Sequence, residues 1–230
     1  MIDKSNNTIQ EGDSLAEYLT HPIFKKISEV AANNEIKAYV VGGFVRDTIM
    51  GNPSKDVDIV TLGSGIEFAE KVAHHINPRI KVTSFKNFGT AMFRYKDLEV
   101  EFVGARKESY NRNSRKPVVE EGTLSDDQNR RDFTINAMAI DLSPESFGQL
   151  IDPFGGLCHL QTKTIKTPLE PDITFSDDPL RMMRAVRFAT KLDFAIESGT
   201  FDALRRNTPR LEIISRERIA DELHKIMMCK

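Results

Sequence analysis

Residues 38–61 read AYVVGGFVRDTIMGNPSKDVDIVT, and the order of elements within them indicates the class of the fold. Residues 38–41 are a short apolar run typical of a buried strand, and a helix is predicted over residues 44–50, where Gly-Asn-Pro ends it. Residues 56–61 form a second strand, in which carboxylates alternate with apolar side chains. The order strand, helix, strand predicts a mixed domain in which helices pack on a sheet.

Two glycines, Gly42 and Gly43, join the first strand to the helix. Glycine lets a backbone approach a phosphate closely, and a helix N-terminus presents free N–H groups and positive potential. Arg46, in the first turn of the helix, adds charge-assisted donors. These residues favour a phosphate-binding cradle, whereas Asp47 is predicted to have a structural role, as partner of a nearby arginine or as a helix cap.

Asp56 and Asp58 are two residues apart on a strand, so both carboxylates lie on one face. Such a pair suits Mg²⁺, which takes one or two carboxylates together with phosphate oxygens. Glu101, in a strand predicted over residues 98–103, offers a third carboxylate; three carboxylates with two Mg²⁺ ions would stabilise in-line displacement at phosphorus. An isolated pair of this kind is more often an ordinary solvated strand edge, but the upstream cradle favours a metal site.

The remaining elements follow from hydrophobic periodicity. Helices are predicted at 14–33 and 66–76, and a further strand at 90–95. Residues 107–129 are polar and charged, which predicts a long mobile loop. From residue 178 onward only helical patterns occur. We therefore expect an α+β head over residues 1–170, with a mixed sheet and helices, and an all-α neck over residues 171–230.

Composition excludes several other classes of protein. The 230 residues are 40% hydrophobic and 29% charged, which is the balance of a globular chain. No apolar run approaches the ~20 residues of a membrane span. Cys158 and Cys229 are too few for a disulfide framework, and no Cys or His cluster suggests zinc. Because the first 14 residues also have no signal-peptide core, a cytoplasmic location without a membrane partner is expected.

The charge is unevenly distributed although the net charge is only −2. Arginines gather in the middle and C-terminal parts of the chain. Positions 178, 181, 184 and 187 carry one Asp and three Arg, and their spacing of three forms a ridge on one helix. Such a ridge is commonly a solvated or salt-bridged face. It can also recognise a base, because Asp accepts from an exocyclic amino group and Arg donates to ring acceptors.

These motifs resemble the signature of class II tRNA nucleotidyltransferases and their bacterial poly(A) polymerase relatives, in the DNA polymerase beta-like superfamily. The glycine cradle and the Asp pair carry the first part of the resemblance. The further matching stretches are Arg130–Ala139 (RRDFTINAMA), Asp152–Gly156 (DPFGG), Asp177–Ala189 and Arg216–Glu222. The resemblance implies a polymerase beta-like nucleotidyltransferase head with a helical neck. One position departs from the family pattern, because Asp177 stands where the family has Glu.

The resemblance also implies a role for each residue of the head. Asp56 and Asp58 would hold the catalytic Mg²⁺ ions, and Glu101 would help to activate the primer's 3′-hydroxyl. The cradle of Gly42 and Gly43, together with Arg46, would bind the incoming triphosphate.

A second group of residues would bind the rest of the nucleotide. The residues implied to contact the ribose and phosphates are Arg131, Asp132 and Asn136. Asp178 and Arg181 would act as a protein template for the base of CTP or ATP, and Arg184 and Arg187 would help to position the nucleotide.

The function that this implies is template-independent addition of CMP and AMP to the 3′ end of tRNA, with CTP, ATP and tRNA as partners. A poly(A) polymerase, or a relative that adds only CC or only A, shares nearly all of these motifs. A nucleotide-sugar glycosyltransferase would leave the cradle and the arginine ridge without a role. A non-catalytic nucleotide- or RNA-binding module is disfavoured because all three carboxylates are present. No protein partner can be inferred. Since related enzymes extend into body and tail regions that hold the tRNA, we expect this chain to be part of a longer protein.

Overall fold

The computed structural model describes residues 9–109 and 118–229. Within them, the contacts divide the chain into two compact units. The first, the sheet unit, consists of residues 9–107, 120–128 and 138–153. The second, the helical unit, consists of residues 108–109, 118–119, 129–137 and 154–229. The predicted head–neck boundary between residues 170 and 171 stays a prediction.

The strands and helices follow in chain order. The strands are β1 (Ala38–Val41), β2 (Asp56–Thr61), β3 (Thr83–Phe85), β4 (Thr90–Tyr95), β5 (Leu98–Gly104), β6 (Arg106–Ser109), β7 (Val118–Glu121), β8 (Ala139–Asp141), β9 (Leu150–Ile151), β10 (Thr164–Ile165) and β11 (Ala195–Ile196). The α-helices are α1 (Pro22–Asn33), α2 (Gly43–Met50), α3 (Gly65–Ile76), α4 (Leu124–Asn129), α5 (Gly156–Gln161), α6 (Pro171–Asp177), α7 (Leu180–Leu192), α8 (Ser198–Asn207) and α9 (Arg216–Met227). In the described part of the chain, none of these helices has both the length and the apolar character needed to cross a membrane.

A seven-stranded mixed sheet with the order β3-β4-β5-β2-β1-β8-β9 forms the centre of the sheet unit. β2 and β5 run parallel, whereas β1 pairs antiparallel with both β2 and β8. Side chains alternate along β2, so Val57 and Ile59 are buried on the face opposite to the carboxylates. Helix α3 packs on β4 and β5, where the ring of Phe102 contacts Phe68 and Phe93 at centroid distances of 5.8 and 5.4 Å. This core fixes β2 and β5 side by side.

The helical unit contains α5 to α9 and the short parallel pair β10-β11. Its core includes Phe175 of α6, Met182 of α7 and Ala203 of α8, all of which are buried. Helix α7 also packs against α9. The apolar side chains of α7 therefore pack into this core, and the arginines of α7 project next to those apolar side chains.

The structure confirms the elements of residues 38–61 and corrects three predictions. Residues 14–33 are not one helix, because Pro22 takes the first position of α1 and a separate 3₁₀ turn covers Ala16–Tyr18. The predicted loop 107–129 contains β7 and α4, while its residues 110–117 lie outside the described residues. The region after residue 178 is not only helical, because β11 pairs with β10.

Candidate active site

The two predicted carboxylate strands are direct neighbours. In their parallel register Asp58 is the Cα partner of Glu101, and Asp56 is the partner of Glu99. Directly paired residues of neighbouring strands project from the same face of a sheet. The structure therefore brings Asp56, Asp58 and Glu101 onto one face.

Glu101 lies in the negative field of this face. The partial burial of its carboxyl group raises the pKa of Glu101, and the charge of Asp58 raises it further. A hydrogen bond with the side chain of Thr90 acts in the opposite direction. A carboxylate with a raised pKa is a better proton acceptor near neutral pH than an ordinary glutamate.

The carboxylate face fits a divalent cation that takes further ligands from a bound substrate. Among the residues that the structure describes, no group of three or more His, Cys, Asp or Glu side chains could hold a metal ion on its own. Mg²⁺ commonly takes one or two protein carboxylates and completes its shell with water and phosphate oxygens. Burial is the larger cause of the raised pKa of Glu101, and the repulsion by Asp58 that adds to it is the kind of charge accumulation that a cation relieves. The resemblance leads to the same expectation, since nucleotidyltransferases of that family generally use divalent metals.

The glycine cradle lies at the end of β1, which pairs with β2 on the side opposite to β5. β1 ends at Val41, the register partner of Asp58, so the next two residues leave the sheet beside the carboxylates. Gly42 has φ 75° and ψ −136°, a conformation that side-chain-bearing residues rarely adopt. Its carbonyl accepts the Arg46 N–H at 3.2 Å, which begins α2.

Arg46 is held rigidly within this cradle. Its guanidinium donates two hydrogen bonds to the Asp47 carboxylate, both of 2.9 Å, and its side chain is 5% exposed. A Cβ placed on Gly43 would lie 3.6 Å from Nη2 of Arg46, so the guanidinium lies directly over the glycine backbone. The predicted structural role of Asp47 as the partner of an arginine is confirmed.

In the helical unit, Asp132 is a buried carboxylate whose hydrogen bonds organise its neighbours. Its Oδ2 accepts from Nε of Arg184 at 2.8 Å, and its Oδ1 accepts from Nδ2 of Asn136 at 3.0 Å and from the Phe133 N–H at 2.8 Å. Burial alone would raise the pKa of Asp132, but the charge of Arg184 and these hydrogen bonds hold it below its ordinary value. Arg131 joins the same cluster by donating to the carbonyl of Asn136 at 3.3 Å.

The arginine ridge of α7 is anchored at each of its positions. Arg181 donates to the backbone carbonyls of Thr174 and Arg130. Arg187 pairs with the buried Glu222 of α9 and lies 4.3 Å from the ring centroid of Phe188. Together with the Arg184–Asp132 pair, these contacts show a row of internally bonded cations rather than a solvated face.

Asp178 does not share a helix with the three arginines, as the spacing of three predicted, because its backbone is extended and α7 begins only at Leu180, after Pro179. Its carboxylate is nevertheless oriented from two directions. Its Oδ1 accepts the Leu180 N–H at 3.2 Å, and its Oδ2 accepts from Nη2 of Arg218 at 3.1 Å. Arg218 and Glu222 had no role in the prediction, although they lie in the last of the matching stretches. The sequence feature that could have pointed to them is their spacing of four, because it places both side chains on one face of α9.

Proteins of known name are similar to this chain over most of its length. The A-adding tRNA nucleotidyltransferase of Aquifex aeolicus is 43% identical over 82% of this chain and 23% of its own length. The CCA-adding enzyme of Limosilactobacillus reuteri is 40% identical over 90% of this chain and 48% of its own length. The solved complex of the Thermotoga maritima CCA-adding enzyme with tRNA has a TM-score of 0.82 at 34% identity and covers 96% of this chain and 52% of its own. The chain thus spans about half the length, or less, of these relatives, and their likeness confirms the predicted α+β head with a mixed sheet.

Two protein families match along the chain. Residues 193–230 match the family described as "Probable RNA and SrmB- binding site of polymerase A". Residues 38–166, which are more than half of the chain and include the cradle and the carboxylate strands, match the family described as "Poly A polymerase head domain". The chain therefore belongs to the poly A polymerase head-domain family.

Proposed function

We propose that this chain is the catalytic and nucleotide-binding part of an enzyme that adds CMP and AMP to the 3′ end of tRNA. The observation that carries the proposal is the direct pairing of Asp58 with Glu101, beside a strand that ends in the Gly42–Gly43 cradle. Carboxylates next to a phosphate cradle are the groups that nucleotidyl transfer requires. The names of the relatives, which add A or CCA to tRNA, support the choice of acceptor.

The reaction would be an in-line displacement. The 3′-oxygen of the RNA forms a bond to the α-phosphorus of the nucleotide, the bond between that phosphorus and the β-phosphate bridge breaks, and pyrophosphate leaves. Glu101 would accept the proton of the 3′-hydroxyl as a general base. Asp56 and Asp58 would hold Mg²⁺. Two such ions would neutralise the negative charge on the attacking and leaving oxygens.

Binding of the nucleotide would be divided between residues of different chemistry. The backbone at Gly42 and Gly43, with Arg46 over it, would hold the triphosphate. Arg131, Asp132 and Asn136 form one hydrogen-bonded cluster, and we propose that it positions the ribose and phosphates. Because Asp132 is buried, its part would be to orient its neighbours.

Selection of the base would depend on Asp178 and Arg181. An Asp carboxylate accepts from the exocyclic amino group that cytosine and adenine share, and uracil lacks this group. Each oxygen of Asp178 already accepts one hydrogen bond. A carboxylate has about four acceptor sites, so both oxygens can still accept a further bond from the base. Arg184 and Arg187 would act as positioning residues, because each is engaged by a carboxylate of its own.

An enzyme that adds only A is the second candidate. The 43% identity to the A-adding enzyme of Aquifex aeolicus favours it.

We propose a cytoplasmic location for either enzyme. Both cysteines of the chain are free, which fits a reducing compartment.

Separate calorimetric titrations of CTP, ATP, UTP and GTP with Mg²⁺ test the base preference. The proposal predicts binding of CTP and ATP and a loss of at least tenfold in affinity for UTP and GTP. It also predicts that Arg181→Ala lowers the affinity for both CTP and ATP. Binding of ATP alone would favour the A-adding candidate, and equal binding of all four would contradict the role of Asp178 and Arg181.

A further inference from the structure

The turn between β3 and β4 displays two phenylalanines to solvent. Phe85 is 43% exposed and Phe88 is 67% exposed, and every residue from Thr83 to Gly89 is exposed. Lys86 lies between the two rings in sequence, and Lys81 precedes them. Aromatic rings interleaved with lysines on an exposed surface are typical of sites that bind single-stranded nucleic acid.

The strand register places Phe85 on the same face as the carboxylates. Phe85 is the direct Cα partner of Thr90, Thr90 is the partner of Val103, and Val103 lies two residues after Glu101 on the same strand, so it shares its face. Directly paired residues project to the same side of a sheet, and Glu101 is in turn paired with Asp58. The strand of Phe85 is two strand spacings, roughly 10 Å, from the strand of Glu101. A nucleotide whose 3′-hydroxyl lies at Glu101 can therefore reach this turn.

Two structural features brace this turn. Lys86–Phe88 forms a 3₁₀ turn that ends at Gly89 with φ 62°, a conformation that favours glycine. Nη1 of Arg106 donates to the carbonyl of Phe88 at 3.1 Å. A turn fixed in this way can present its rings with little loss of conformational freedom on binding.

We infer that Phe85 and Phe88 form a base-stacking platform for the 3′-terminal nucleotides of the RNA primer. The inference rests on the proposed function, which puts the primer's 3′-hydroxyl at Glu101. Stacking needs no specific hydrogen bonds, because every base has a π-face. The platform therefore contributes affinity for the single-stranded end of the RNA without selecting its sequence, and Lys81 and Lys86 supply charges for its phosphates.

The test measures RNA binding and nucleotide binding separately. A short RNA whose 3′-terminal base is 2-aminopurine is titrated with the chain in the presence of Mg²⁺. We expect quenching of the fluorophore by the unsubstituted chain, and dissociation constants about 5- to 150-fold higher for Phe85→Ala and Phe88→Ala. Phe85→Tyr and Phe88→Tyr, which keep the ring, are expected to bind as tightly as the unsubstituted chain.

Leu169→Ala is the matched control. Leu169 is 43% exposed, as Phe85 is, and lies outside both the carboxylate face and residues 193–230, so its loss should leave RNA affinity unchanged. Calorimetric affinities for CTP and ATP should be the same in all variants. The inference is wrong if the terminal 2-aminopurine is not quenched by the unsubstituted chain, if both Ala variants bind RNA normally, or if they lose nucleotide rather than RNA affinity. Failure of the proposed function is distinguishable, because it appears in the unsubstituted chain as an absence of nucleotide incorporation.

Discussion

Arg218 of α9 donates a hydrogen bond of 3.1 Å to Oδ2 of Asp178, 40 residues earlier in the chain. The other oxygen of Asp178 accepts the backbone N–H of Leu180, so the carboxylate is fixed both by the first residue of α7 and by α9. If Asp178 reads the base, then α9 sets the direction in which it does so. We therefore propose that Arg218 is a positioning residue for base recognition.

Removal of Arg218 should affect base selection more than stability. The pair is partly exposed, at 40% and 29% of the two side chains, so Arg218→Ala should cost at most about 1 kcal/mol of stability. We expect cognate nucleotides to bind roughly 3- to 30-fold more weakly, because a freely rotating carboxylate loses preorganisation. Calorimetry of CTP, ATP and UTP measures this effect and any relaxation of preference.

Arg216→Ala is the matched control for this prediction, since Arg216 is an exposed residue on the same helix. Arg218→Lys should restore part of the affinity. Unchanged nucleotide binding and unchanged preference in Arg218→Ala would show that Asp178 needs no support from α9.

The Arg187–Glu222 pair should matter for stability. Glu222 is 3% exposed and the Arg187 side chain is 14% exposed. Removing one partner of a buried pair leaves an uncompensated charge, so Glu222→Ala should lower the free energy of unfolding by about 3–5 kcal/mol. Urea denaturation followed by circular dichroism provides the measurement.

Lys225 also approaches Glu222, at 3.9 Å, but is 61% exposed. Lys225→Ala should therefore change stability by less than about 0.5 kcal/mol. A loss in Glu222→Ala no larger than that of this control would contradict the account of the α7–α9 contact.

His21 should make the stability of the sheet unit depend on pH. Its Nδ1 accepts the Ile23 N–H at 3.3 Å and so caps α1, which requires an unprotonated Nδ1. Burial lowers the pKa of His21 from its ordinary value of 6.5, and Lys96 lowers it further, while Asp97 opposes both. The folded state therefore binds the proton more weakly than the unfolded state. The contribution of His21 is fully present above pH 6.5 and is lost as the pH falls below that value.

Denaturation midpoints measured between pH 8 and pH 5 check this dependence. His21→Asn keeps an acceptor at the cap position but cannot be protonated in this range. We expect the fall in midpoint below pH 6.5 to be smaller in His21→Asn than in the unsubstituted chain. An identical pH dependence in both proteins would exclude His21 as its source.

Local sequence patterns predicted the part of the fold that forms the carboxylate face. The apolar runs and the glycines gave β1, α2 and β2 to within one residue, since each element is bounded by Gly, Pro or a change of periodicity. The neighbouring position of the strand that carries Glu101 was also anticipated. Strands of two or three residues, such as β3 and β9, are too short to show any periodicity.

The contacts of the arginine ridge could not be predicted in the same way. Arg181, Arg184 and Arg187 are bonded to acceptors 35 to 52 residues away in the sequence. The spacing of three on a helix shows that these side chains share a face, but it contains no information about what packs against that face. Only the tertiary fold distinguishes an anchored arginine from a solvated one.

The most direct test of the account is nucleotide incorporation by variants of the carboxylate face. The chain is incubated with tRNA transcripts that end before and after the CC sequence, radiolabelled CTP or ATP, and Mg²⁺. Asp58→Asn and Glu101→Gln should each reduce the rate by about 10²- to 10⁴-fold. Glu99→Gln, a change in the neighbouring carboxylate of the same strand, should retain activity to within about threefold. Incorporation by Asp58→Asn at the unsubstituted rate, or no incorporation by the unsubstituted chain, would contradict the account.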